Sequence, residues 1–294
     1  MSEIYRHMSE LFDSSFLKKL QQLVITSKII LSDGTGGNRK SRSKGSSVEF
    51  SDYREYAAGD DFRRIDWNAY GRFEKLFIRL YMEEREAPVH ILLDSSKSMD
   101  WGQPNKSFAS RRLAAALGYI SLSNYDRVSL AFLSNRTEGS RFSLRGKNSF
   151  SEVLDFLQKA EYKGATDLYA ALMQLNIKAS RGISIIISDL FSPGSLVDVI
   201  KYLQYRKQEV YICHMLSPQE VNPDINANLR LIDSETGEFR DVTATPLLIK
   251  TYRNVYNRFT AGIEENCHKY GVNYIRLLSS EPVEQMIRMV VNRI

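Results

Sequence analysis

The chain has little of what staples small proteins together: 2 cysteines and 7 prolines in 294 residues. Cys213 and Cys267 close at most one bridge, so a disulfide scaffold is excluded and a reducing compartment is the simpler setting. No cysteine cluster is available to hold a metal. The 4 histidines, His7, His90, His214 and His268, are scattered without an i, i+4 pair. The adjacent Cys213 and His214 sit inside an apolar run and read as packing rather than ligation. Long apolar runs are lacking too. The longest, such as residues 183–187, have strand length, far short of the roughly 18 residues of a membrane span. Residues 1–8 carry charge early and lack the apolar centre of a secretory leader. With no repeat and no low-complexity tract, these absences point to a soluble, cytoplasmic globular chain.

What is present suffices for a sizeable core: 43% of residues are apolar and 26% charged. The 40 basic and 35 acidic residues leave a net charge of +5. Part of that excess is concentrated in Arg39, Lys40, Arg42 and Lys44. Such a loop could touch nucleic acid or anionic lipid, but it holds no aromatic residue to stack a base, and its Gly and Ser content suits a solvated linker. Gly34, Gly36 and Gly37 precede no Lys-Ser/Thr pair, so they do not form a nucleotide loop.

Apolar residues recur with helical spacing over residues 14–30, and the glycines at 34–37 then break the pattern. A segment dense in alternating charge and aromatic residues follows, with a strand signal at 76–81. From Val89 onward, short apolar runs alternate with helix-length amphipathic stretches, which predicts βα units around a mostly parallel sheet flanked by helices. A β-hairpin with a Gly-containing turn is expected over 229–242, inserted before a long helix at 246–270 that Thr245 caps and Pro246 opens. A strand at 274–278 and a helix from Pro282 close the series. The expected division is an N-terminal extension, residues 1–85, ahead of an α/β domain, residues 86–294.

Ligands of open α/β sheets bind at the carboxyl edge of the strands. There, the first strand of the alternating series ends in Asp94, Ser95, Ser96, Lys97 and Ser98. A spacing of two brings Asp94, Ser96 and Ser98 around one point and turns Ser95 and Lys97 away. Hard oxygen groups so placed suit Mg²⁺, with Mn²⁺ or Ca²⁺ as alternatives. Thr166, just before a helix, and Asp189, at the end of the most apolar strand, supply further oxygens. Hydroxyls outnumber carboxylates in this set, so a bound cation still seeks an anionic oxygen from outside.

These five positions, Asp94-x-Ser96-x-Ser98 with Thr166 and Asp189, resemble the metal-ion-dependent adhesion site of von Willebrand factor A domains. The resemblance implies a doubly wound, Rossmann-like sheet and one divalent cation. Ser96, Ser98 and Thr166 then contact the cation, Asp94 and Asp189 act directly or through water, and an acidic side chain of a protein partner completes the shell. Upstream, Tyr53-Arg54-x-Tyr56-x-x-Gly59-Asp60-Asp61-x-Arg63-x-Ile65-Asp66-Trp67 resembles the signature of the bacterial family called domain of unknown function 58, as does the hairpin at 231–238. Members of that family commonly accompany MoxR-type AAA+ ATPases, so the resemblance implies such an ATPase, or its client, as partner in assembly or chaperone-like work.

The charged signature segment has two readings. In one it is a structural brace, its Asp and Arg residues paired and Trp67 filling core. In the other, Arg54, Arg63, Arg64 and Arg72 form a docking face, since the guanidinium fork binds carboxylates bidentately. An enzymatic alternative makes Asp94 the nucleophile of a hydrolase or phosphotransferase. That chemistry wants a second carboxylate two residues on, where this chain has Ser96. Neither Ser95 nor Ser96 has the flanking glycines of a hydrolase elbow. The reading is therefore a non-catalytic interaction module.

Overall fold

The computed structural model describes residues 11–20, 49–57, 60–82, 88–134, 139–223, 228–233, 237–243 and 245–293. The basic stretch Arg39, Lys40, Arg42 and Lys44 and the second half of the helix expected at 14–30 lie outside the described residues. The chain divides into two compact units, residues 1–30 with 87–294, and residues 31–86. A helix α1 at residues 14–20 is grouped with the larger unit, although the sequence places it in the N-terminal extension.

In the smaller unit, β1 (Glu49–Glu55) is followed by the 3-10 turn Phe62–Arg64, α2 (Trp67–Phe73) and β2 (Phe77–Met82). The two strands pair antiparallel, with Tyr53 opposite Arg79. The charged signature builds this unit from within. Asp66 caps α2 by accepting the amides of Asn68 and Ala69, and its second oxygen accepts from the Tyr53 hydroxyl at 2.9 Å. Arg54 Nη2 donates to Asp60 at 2.8 Å, and the other Asp60 oxygen takes the Ala57 amide, closing the intervening turn. Arg54 is thus committed internally. Trp67 is 64% exposed and does not fill core; with Asp66 as cap it begins the helix facing outward, and Ala69 and Ile78 are buried instead.

The larger unit continues with β3 (Pro88–Asp94), α3 (Lys106–Ser123), β4 (Arg127–Leu133), β5 (Ser140–Leu144), α4 (Phe150–Gln158), α5 (Leu168–Gln174), β6 (Gly182–Ser188), α6 (Leu196–Tyr205) and β7 (Gln208–Leu216). Then come α7 (Pro218–Val221), the hairpin β8 (Asn228–Ile232) and β9 (Phe239–Thr243), α8 (Pro246–Lys269), β10 (Asn273–Leu278) and α9 (Val283–Val291). Six strands form one sheet in the order β10-β7-β6-β3-β4-β5, all parallel except the antiparallel edge strand β5. Counted along the sheet this is the doubly wound order 3-2-1-4-5-6, with its switch point between β3 and β6. The α/β class expected from the alternation is met. The hairpin is also where it was expected, as a separate ribbon in which Arg230 and Asp241 pair across the strands. Helix α5 stops at Gln174, and Asn176 just beyond it is left-handed with φ +43°.

Both faces of the sheet are covered, which is why its central strands read as nearly unbroken apolar runs. Val89, Ile91 and Leu93 of β3 and Ile183, Ile185 and Ile187 of β6 share one core with α1, α3, α4 and α9. Leu92 and Ile186 face the other core, with α5, α6 and α8. Helix α1 is fixed to the first core by Phe16 and Leu20, both fully buried. The Arg112 guanidinium lies 4.6 Å from the Phe16 ring and bonds Asp13 at 3.1 Å. Leu20→Ala is expected to destabilise the protein by about 2–5 kcal/mol, the cost of a large-to-small change in a packed core, read as a lower urea midpoint. A change under about 0.5 kcal/mol, the range of exposed positions, contradicts the docking of α1.

Candidate functional site

Two loops leave the sheet at its carboxyl edge, after β3 and β6, and the structure stitches them to the loop between α4 and α5. The loop after β3 is tied to the one before α5 by Lys97 N–H to Gly164 O at 2.8 Å and Lys163 N–H to Ser95 O at 3.1 Å. The Ser95 amide and hydroxyl and the Thr166 hydroxyl all donate to Leu133 O at the end of β4. The loop after β6 is joined to α5 by Leu168 N–H to Ser192 Oγ at 3.2 Å. Gly194 in that loop packs so closely on Asp167, the cap of α5, that a Cβ there would stand 2.7 Å from the carboxylate. A larger residue there would have to displace the Asp167 cap.

Within this frame Asp94, Ser96, Thr166 and Asp189 are buried and Ser98 is partly buried. Asp94 Oδ1 accepts the Ser96 amide at 2.9 Å, and Oδ2 accepts the hydroxyl of Ser188, the last residue of β6, at 2.6 Å across the switch point. Ser188 Oγ in turn takes the Leu190 amide at 2.9 Å, holding Leu190 at φ +60°, a conformation a branched side chain rarely adopts. The hydroxyls of Ser96 and Ser98 lie 2.9 Å apart. That separation is an ordinary hydrogen bond and is also compatible with neighbouring oxygens of an octahedral Mg²⁺ shell, about 2.9 Å apart for ligands at about 2.0–2.1 Å. Lys97 points away to Asp100, as the alternation along the loop predicts. Among the described residues no group of three or more His, Cys, Asp and Glu gathers around a metal-sized space. The donor set is one of hydroxyls with two carboxylates, which fits a hard cation rather than zinc.

Lys106 and Glu220, which the sequence reading missed, lie beside this set. The Lys106 side chain, first residue of α3, is 0% exposed; its ammonium donates to Asp189 Oδ2 at 2.8 Å and to Glu220 Oε1. Glu220 closes a capping box on α7, its carboxylate taking the Ser217 amide at 2.7 Å. A signal for Lys106 existed in the sequence. A cation in the first turn of a helix opposes the helix dipole and needs compensating carboxylates. Its partners lie 83 and 114 residues away, however, and no local pattern names them.

The remaining candidates lie in the packed core of the larger unit or in the smaller unit. His214 bonds the Tyr274 hydroxyl at 2.7 Å, and burial takes its pKa down to about 4, so it packs as a neutral ring. Cys213 and Cys267 are free, buried thiols pushed up to about 12 by burial. In the smaller unit the Arg63 guanidinium lies 6.0 Å from the Phe62 ring, and Arg64 belongs to the same turn. Arg72, with Trp67, Phe73 and Phe77, lines a groove of about 820 Å³.

The family model described as "Protein of unknown function DUF58" matches residues 52–262. The uncharacterized protein Rv1480 of Mycobacterium tuberculosis is 24% identical over 290 residues, covering 96% of this chain and 90% of its own length. Among solved structures, the conserved hypothetical protein BatB from Bacteroides thetaiotaomicron is 16% identical with a TM-score of 0.44, over 70% of this chain and 98% of that one. The SpRpn10 VWA domain is 12% identical with a TM-score of 0.40, over 70% and 94%. No helix among the described residues is long and apolar enough to cross a membrane.

The charge state of the site has a measurable consequence. Burial first, and then the charge of Asp189, push the Asp94 carboxyl up from 3.8 to about 6, against the stabilising bonds from Ser188 and Ser96. Between these two values the folded state holds more protons than the unfolded state. Stability therefore falls as pH rises through this window, and above about 6 the penalty is fully in place. In chelator, Asp94→Asn is expected to raise stability by about 1–3 kcal/mol at pH 7.5 and by little at pH 4. An amide fits both neighbours, accepting from Ser96 N–H and donating to Ser188 Oγ. Urea denaturation of both proteins at the two pH values checks this, and equal or lower stability of the variant at pH 7.5 contradicts it.

Proposed function

The chain belongs to the DUF58 family, and we propose that it is a non-catalytic protein-interaction module that grips an acidic side chain of its partner through a divalent cation. The observation that carries this reading is the chain of contacts from the Asp94 carboxylate to Ser96 and from the Ser96 hydroxyl to that of Ser98 at the switch point of the sheet, with the buried Asp189 carboxylate raising the cost of charge on Asp94. Ser96, Ser98 and Thr166 would contact the metal, with Asp94 and Asp189 holding it directly or through water. Bound there, Mg²⁺ or Mn²⁺ supplies a Lewis-acidic position for an incoming carboxylate.

The chain's own residues prepare that position. Ser188 and the Ser96 amide orient the Asp94 carboxylate, and Leu133 O orients the Thr166 hydroxyl so that its lone pairs stay available. The stitched loops keep the hydroxyls in place before a partner arrives, which lowers the ordering cost of association. Trp101 and Phe191, from the loops after β3 and β6, are 46% and 44% exposed. They offer apolar contact beside the charge, the composition of a docking surface with a polar anchor. A MoxR-type AAA+ ATPase, or a client of one, is the partner this reading favours, and the Arg72 groove is a second candidate contact.

The test is capture of the ATPase by the full chain with and without metal. Retention in millimolar Mg²⁺, loss in chelator, and loss in Asp94→Asn are expected. Thr166→Val, which keeps shape but removes one oxygen, should weaken binding by about tenfold, the range of a single lost charge-assisted contact. Binding of equal strength in chelator overturns the metal bridge. Binding that ignores chelator and falls steeply with salt instead assigns recognition to the basic residues 39–44 or the arginines of the smaller unit.

A further inference from the structure

The metal-centred reading leaves unexplained why a lysine is sealed inside the same edge of the sheet. Lys106 is fully buried, between Asp189 at 2.8 Å and Glu220, with the Phe191 ring 5.9 Å from its ammonium. The placement works against the α3 dipole, since a cation occupies the positive end of the helix. A buried ion pair also adds little net stability over apolar packing. The clear physical effect of the ammonium is on the charge of the site. One of the site's two carboxylates already carries an internal counter-ion, and the hydroxyls bring no charge.

We propose that Lys106 sets the strength of the metal site: by neutralising Asp189 from the interior, it keeps the affinity for a free divalent cation low until a partner's carboxylate supplies the missing negative charge. This rests on the reading of Asp94, Ser96, Ser98, Thr166 and Asp189 as a cation site, and it adds the rule by which that site is filled. Metal and acidic partner then bind together, each raising the affinity of the other, as reciprocal coupling requires. Glu220 shares the ammonium and so connects this setting to α7, whose Glu220 carbonyl accepts from Tyr252 of α8 at 2.7 Å.

The experiment is a Mn²⁺ titration of the full chain, read by calorimetry and by electron paramagnetic resonance, on wild type, Lys106→Met, Asp189→Asn, the Lys106→Met/Asp189→Asn pair and Asp94→Asn. Removing the ammonium should tighten Mn²⁺ binding by about tenfold or more, the effect of deleting a like charge in a poorly screened interior. With Asp189→Asn already in place the same change should shrink to less than about threefold, because Lys106 acts through that carboxylate; a double-mutant cycle isolates this coupling. Thermal denaturation supplies a separate readout: Lys106→Met should be less stable than wild type in chelator and gain more from Mn²⁺. If Lys106→Met does not fold, Lys106→Met/Glu220→Gln, which removes one of the two unpaired carboxylates, takes its place in the same cycle.

A folded Lys106 variant that binds Mn²⁺ no more tightly than wild type, with binding still lost in Asp94→Asn, overturns the role of Lys106 and leaves the cation site standing. Tightening that persists undiminished without the Asp189 carboxylate overturns the proposed route through Asp189. Absence of binding in every variant, Lys106→Met included, overturns the cation site itself.

Discussion

Asp94 and Asp189 end adjacent parallel strands with the packed interior behind them. Negative charge in that position must be met by hydrogen bonds, by a cation or by a proton. Each solution is visible around these two residues. Ser188 and the Ser96 amide serve Asp94, Lys106 serves Asp189, and the Asp94 proton is held up to about 6. The winding of the sheet makes the problem, because β3 and β6 are neighbours whose following helices depart to opposite faces. The same crevice gives doubly wound folds their binding edge. The cost of buried negative charge is therefore concentrated at one place in the fold.

The sheet was legible in the sequence because strands covered on both faces are nearly all apolar; β3, β6 and β7 announce themselves. The antiparallel edge strand β5 was not anticipated. Its residues Arg141, Phe142 and Ser143 are exposed, so it carries no buried alternation to detect. Asp94, Ser96 and Ser98 could be grouped because they sit on one short loop, while Thr166 and Asp189 were placed by their position at element ends. Lys106 could not be placed in this way. Its meaning depends on Asp189 and Glu220, which only the folded chain brings near.

The smaller unit teaches a related lesson about charged motifs. Arg54, Asp60 and Asp66 spend their charge on local geometry: a closed turn, a helix cap and a bond to Tyr53. Within the run, Arg54, Asp60 and Asp66 fasten their own neighbourhood, while Arg63 and Arg72 stay exposed. Among the unit's exposed side chains, Phe62, Trp67 and Phe73 are each about two-thirds exposed, beside the exposed Arg63, Arg72 and Lys75. Those rings and cations are what the unit offers to its surroundings.

The β8–β9 ribbon raises a colloidal question. A two-stranded sheet has an outer edge on each strand, and in a chain with Leu231, Ile232 and Phe239 exposed such edges invite copies to zip together. The cross-strand pair of Arg230 and Asp241, with the Arg230 guanidinium 4.5 Å from the Phe239 ring, places charge over the apolar surface. Arg240, exposed beside it, adds an unlike obstacle to self-stacking. The ribbon's exposed apolar side chains are thus interleaved with charge, which opposes edge-to-edge pairing of copies.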